Sequence, residues 1–196
     1  MIPVIAMLAL QAAPPSCETS ALDRQFDFWV GEWNVYARDG GYGGSNVIEP
    51  GANGCVLHEH WTNARGGTGH SLNWVDNETG QWRQLWVGPR YQIDYAGGLN
   101  QGGAMVLEGV ITYARPDGPV SLDFRGAWTP LENGHVIQHF QQWNPDTEAW
   151  SNWGLLTYVP VTQDPNGADP AEGATGPAVE TAPEAFSSVE GEEGSE

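Results

Sequence analysis

Short runs in which apolar and polar positions alternate, each ended by a turn string, fill most of this chain. The run 55–62 is the clearest: Leu57, Glu59 and Trp61 share one face, while Val56, His58 and His60 share the other. A period of two, carried by β-branched and aromatic residues, predicts half-buried strands. From residue 45 onward the runs are 45–49, 55–63, 68–76, 81–87, 91–99, 104–113, 119–129, 135–144 and 150–159. Between them lie strings such as Arg65-Gly66-Gly67, Pro116-Asp117-Gly118, Asn133-Gly134 and Asn144-Pro145-Asp146. These supply the positive or preset φ that tight reversals need. No stretch shows a sustained helical period. With one more strand after Gly31, the pattern predicts an all-β protein, a single up-and-down antiparallel barrel of about ten strands over residues 17–162.

The opening of that barrel is dense in rings. Five of the eleven residues from Phe26 to Tyr36 are aromatic, and they must be buried together or leave a sticky patch. The expected arrangement is a turn packing Phe26, Phe28 and Trp29, a bend at Gly31, and a strand with Trp33 and Val35 on one side. Gly31-Glu32-Trp33 resembles the Gly-x-Trp signature of lipocalins, in which the tryptophan plugs the closed end of a barrel. The fuller string Phe26-Asp27-Phe28-Trp29-Val30-Gly31-Glu32-Trp33 resembles that of small secreted bacterial calycin-like proteins of uncharacterised function. Those proteins pair it with strings like Gly54-Cys55-Val56-Leu57-His58-Glu59-His60-Trp61, Ser71-Leu72-Asn73, Met105-Val106-Leu107-Glu108-Gly109 and Trp128-Thr129-Pro130-Leu131. The resemblance covers residues 17–158 and implies a calycin-like barrel closed at one end by Phe28, Trp29, Gly31 and Trp33. One feature departs from it: lipocalins set an arginine from a late strand against the signature tryptophan, and no Lys or Arg follows Arg125 here.

Both ends of the chain differ from the middle. Residues 1–13 are almost continuously apolar, the length of a signal-peptide core and short of the ~20 residues a spanning helix needs. Export to the periplasm or medium is expected, with cleavage after Ala12, and no transmembrane span. In an exported protein the two cysteines, Cys17 and Cys55, read as one disulfide; without export, free thiols are the alternative. From Gln163 the chain is Pro, Gly, Ala, Ser and acids, with Phe186 its only ring, so 163–196 is expected to be a disordered acidic tail. The net charge of −18 narrows the partners. Removing the tail's nine acids leaves sixteen against seven arginines, a net of −9, with no cluster of cations for a phosphate backbone. Nucleic acid is excluded as a partner on that ground.

Candidate chemistry is sparse. His58-x-His60 has the spacing by which a strand offers two imidazoles to a metal, but no glutamate or second histidine motif follows. The pair is read as solvent-facing, with no metal and no cofactor expected. Glu59 shares its face with Leu57 and Trp61, and a carboxylate pointing inward needs a partner or titrates upward. Arg125 or Arg83 could pair with Glu59 or Glu108, as a structural salt bridge. The alternative makes both acids polar anchors in a ligand cavity. Ten tryptophans fall between Trp29 and Trp153. They suit a ligand-stacking pocket, a filled core or a dimer face equally well. The first functional expectation is a container for a small apolar or aromatic molecule, in a cavity of ~300–1,000 Å³. Its lining would be Glu59, Trp61, Trp74, Trp86, Glu108, His139 and Gln141. The alternatives are a hydrolase- or isomerase-type enzyme using cavity carboxylates or His139, and a homodimeric interaction protein with a solid core. An inward carboxylate without arginine favours the enzyme, and an interior filled by tryptophan favours the dimer.

Overall fold

Each alternating run becomes a strand, and each turn string a reversal between neighbours. The computed structural model describes residues 17–164. Over them the strands are β1 (Gly31–Ala37), β2 (Tyr42–Gly51), β3 (Val56–Asn63), β4 (Thr68–Val75) and β5 (Trp82–Val87), then β6 (Tyr91–Leu99), β7 (Met105–Tyr113), β8 (Val120–Pro130), β9 (Val136–Asn144) and β10 (Ala149–Pro160). Every strand pairs antiparallel with its neighbours in sequence, and β1 also pairs with β10, so the sheet closes as an up-and-down barrel. Closure removes the free edges at which sheets aggregate. Among the described residues no helix is long and apolar enough to cross a membrane.

The strand that most exceeds its pattern is β2. β2 starts at Tyr42 rather than Ser45, because Gly43-Gly44 reads as turn material. A Cβ on Gly44 would sit 2.2 Å from the Thr62 carbonyl oxygen and 2.9 Å from the Trp61 ring. The glycine therefore belongs to the ladder, where it lets β2 approach β3 closely.

The aromatic opening forms the floor of the barrel. A 3-10 turn, Asp27–Trp29, leads through Val30 and Gly31 into β1. Phe26 stacks on Trp29 with ring centroids 4.8 Å apart and meets Trp82 and Trp128 edge-on at 5.6 and 5.4 Å. Trp33 and Trp82 keep their indole protons bonded to main-chain carbonyls, of Trp29 at 2.9 Å and of Leu22 at 3.1 Å. Trp29 and Trp33 are buried, and Phe28 packs half-buried against the same cluster. The ring of Tyr158 lies edge-on to Trp33 at 6.0 Å.

A Cys17–Cys55 disulfide, with Cα atoms 4.9 Å apart, ties the arm that precedes this floor to the β2–β3 turn. The amide of Cys17 also donates to the Asn53 carbonyl at 3.0 Å. The signal-like segment 1–13 lies outside the described residues, as does the tail beyond Asp164. The expected boundary at residue 163 moves slightly. Asp164 accepts hydrogen bonds from Asn34 Nδ2 at 2.8 Å and from the Tyr36 hydroxyl, so the chain is still docked on the outer face of β1 there.

The disulfide closes a loop with a sequence separation of 38. Replacing both cysteines by serine should lower the unfolding free energy by about 4 kcal/mol, the loop-entropy value for that length. Urea unfolding of the two forms checks it; a loss below about 1 kcal/mol would show that the arm holds the floor without the covalent tie.

Candidate functional site

Above the aromatic floor the barrel is not filled. A cavity of about 230 Å³ opens toward the other end. Trp61 of β3, Trp86 of β5, Tyr91 of β6, Phe140 of β9 and Trp153 of β10 make its aromatic wall. Glu59, Gln84, Tyr95, Gln138 and Tyr158 make it polar lower down. The volume is below the expected range, because the barrel's own rings occupy much of the interior.

Two local departures from a regular sheet shape that wall. A Cβ on Gly69 would lie 2.3 Å from Trp86 Cζ2, so only glycine lets the indole rest against β4. Trp153 is the extra residue of a β-bulge: Asn152 pairs with Gln141 and Gly154 with Phe140, leaving Trp153 unopposed. Its ring meets Tyr91 and Phe124 edge-on at 5.6 and 5.3 Å, and its Nε1 donates to the Tyr113 hydroxyl at 2.9 Å. At 38% exposed it is the rim of the opening.

Lower down, a belt of polar side chains runs around the interior. The Tyr95 hydroxyl donates to Gln84 Oε1, and Gln84 Nε2 donates to Asn73 Oδ1. Asn73 Nδ2 donates to Ser71 Oγ at 2.9 Å and to the Leu57 carbonyl at 3.2 Å. Ser71 Oγ donates to Glu59 Oε2 at 2.6 Å, and Asn46 Nδ2 to Glu59 Oε1 at 2.7 Å. Asn46 Nδ2 also reaches the Tyr158 hydroxyl at 3.2 Å, which donates to Gln138 Oε1 at 3.2 Å. Seven strands thus contribute to one network, and its members are all buried. Buried polar groups must be paired with one another in this way or cost the barrel their full desolvation.

Glu59 is the acid at the centre of that network. Burial pushes its carboxyl up to about 7, and the bonds from Ser71 and Asn46 only partly oppose it. Burial likewise raises the hydroxyls of Tyr95, Tyr158 and Tyr91, with the nearby Glu59 charge adding to it.

The residues expected from sequence divide between the two faces of the sheet. Glu59, Trp61 and Trp86 line the cavity. Trp74, Glu108, His139 and Gln141 do not, and the reasons differ. Trp74 points outward under the guanidinium of Arg83, 5.8 Å from its ring centroid, because the inward face of β4 is the polar one carrying Ser71 and Asn73. Glu108 lies on the outer face of β7, 3.8 Å from Arg125 Nη1, since Leu107 and Ile111 occupy the core side. Gln141 accepts two bonds from Arg125 at 2.8 and 2.6 Å on the same outer ladder. His139 faces away from Gln138 and Phe140, its Nε2 3.1 Å from Asn152 Oδ1, and burial lowers its pKa. Arg83 pairs with Asp94 and Asp76 rather than with either glutamate.

The polar belt was legible only in part. Gln84 shares its face with Trp82 and Trp86, as the alternation of β5 indicates, but Asn46, Ser71, Asn73 and Tyr95 carry no signal of their own. A usable one lay in the β3–β4 turn. Its length pairs Thr62 with Thr68, which sets Ser71 opposite Glu59. His58 and His60 lie on the outer side, with His60 Nδ1 3.1 Å from His70 Nδ1 and Nε2 3.9 Å from Glu49. Among the described residues no group of three or more His, Cys, Asp or Glu is arranged to hold a metal ion. No protein-family model matches the chain, and no curated protein matches it in sequence.

The raised carboxyl has a consequence for stability. Glu59 binds its proton more tightly folded, near 7, than at its ordinary value of 4.5, so its contribution is full below about 4.5 and is lost as pH rises through 7. The loss is about 3 kcal/mol. Glu59→Gln removes this titration. Urea unfolding of both proteins at a series of pH values should show wild type losing that much relative to the variant across the window. Parallel stability curves would mean that Glu59 is solvated.

Proposed function

We propose that this protein is an exported, calycin-like container that binds one small aromatic or apolar molecule inside its barrel. The observation that carries the reading is the partly open cavity, with rings at its mouth and hydrogen-bonding groups at its base. Such a site stacks a flat molecule and orients it with few polar contacts. An apolar cavity of about 150 Å³ accepts benzene, so 230 Å³ suits a molecule of about nine non-hydrogen atoms. Export is supported by the apolar segment 1–13 and by the disulfide.

Glu59 has no arginine, the feature expected of an enzyme. The cavity lining brings it no second acid and no histidine, since Glu108 and His139 lie on the outer face. The paired acid and base that a hydrolase or isomerase would use are therefore not assembled around it. The open interior likewise does not favour the solid-core dimer.

Titration of small arenes such as indole and 2-phenylethanol, followed by tryptophan quenching, should show saturable binding at one site. Gly69→Ala pushes the Trp86 ring into the cavity and should weaken it about tenfold, within the range for overpacking. The absence of saturable quenching by any such arene would overturn the reading.

A further inference from the structure

Among the described residues Glu59 is a buried carboxylate without a counterion. The sequence has no lysine, and all seven arginines lie within the described residues. None forms an ion pair with Glu59; the outward-facing Arg83 and Arg125 are engaged by Asp94 and Glu108. No histidine lines the cavity.

The hydrogen-bond network points two donors at Glu59. The Leu57 carbonyl can only accept, so the Asn73 amide must turn its Nδ2 toward it. The second proton of that Nδ2 goes to Ser71 Oγ, which leaves the serine's own proton to donate onward, to Glu59 Oε2. Asn46 Nδ2 donates to the other oxygen. Each carboxylate oxygen therefore faces a donor, and these two bonds offset part of the burial that favours the acid. The anion is 4% exposed and borders a cavity walled by Trp61, Trp86, Tyr91 and Trp153. Aromatic faces attract a cation and repel an anion. A net charge of −18 acts in the same sense at long range.

We infer that the occupant of the cavity is a small aromatic ammonium, an arylalkylamine whose charged nitrogen pairs with Glu59 while its ring stacks among the wall tryptophans. The inference rests on the container reading above. A cation there completes a buried ion pair whose other half, with its hydrogen-bond donors, is already in place. The remaining titratable groups facing Glu59 are Tyr91, Tyr95 and Tyr158, whose hydroxyls burial keeps protonated and neutral.

Three probes of similar size separate the possibilities: phenethylamine, 2-phenylethanol and phenylacetate, titrated by calorimetry into wild type and Glu59→Gln. Phenethylamine should bind wild type about tenfold or more tighter than the alcohol, the difference between a charge-assisted and a neutral hydrogen bond. That preference should vanish in Glu59→Gln while the alcohol still binds. In wild type alone, affinity for the amine should fall as pH is lowered through about 7, and affinity for the alcohol should not; this arm stands even if the variant does not fold. Equal or weaker binding of the amine than of the alcohol, stronger binding of the acid, or an amine preference that survives Glu59→Gln would overturn the inference and leave the container intact. No binding of any probe would overturn both.

Discussion

A closed sheet of ten strands encloses more space than the side chains of a regular β interior fill, since about eight strands already give a barrel its packed limit. The rest of this structure answers that excess width. At one end the answer is large rings brought in from outside the sheet: Phe26 and Trp29 come from the segment before β1 and complete a layer with Trp82 and Trp128. In the middle it is a belt of amides and hydroxyls long enough to reach one another across the strands. Toward the other end the width is left open.

The polar belt and the aromatic floor depend on each other. Tyr158 belongs to both, with its ring against Trp29 and Trp33 and its hydroxyl between Asn46 and Gln138. A belt of this kind is costly if any member lacks a partner, and it fixes a unique interior when every member is served. Asn46 is the member whose satisfaction is least complete, since its Oδ1 is buried without a partner, while at Glu59 two donors offset only part of the burial of a charge.

How much of this could be read from the sequence follows from what each signal physically encodes. Turn chemistry and period-two alternation encode strand number and order, and those are legible from Gly66, Asn133, Pro145 and their neighbours. Alternation also turned Glu59 inward, because Leu57 and Trp61 flank it. The same rule misplaced Trp74. Its strand has Leu72 and Trp74 on one face and Ser71 and Asn73 on the other, and burying the apolar face is the ordinary choice. Here the polar face is inside because Ser71 must meet Glu59 across the ladder, a pairing that belongs to two strands at once. Glu108 failed for a simpler reason: Met105 to Tyr113 is apolar on both faces, so alternation there chooses neither. Trp153 reaches the mouth through a bulge, and a single unpaired residue leaves no trace in a hydrophobic pattern.

The pairing of the first strand with the last sets the order in which this chain can fold. Val35 of β1 meets Tyr158 of β10, so the seam joins residues from opposite ends of the described barrel. Hairpins from β2 onward form from local contacts, but the seam is closed by the least local contacts of the fold, and such closures are slow. Until β10 arrives, β1 is an open edge beside a cluster of exposed rings, the state most prone to pair with another copy. The Cys17–Cys55 link does not depend on that seam: it joins two residues that both precede β3, and so ties the arm to the β2–β3 turn whether or not β1 and β10 have met.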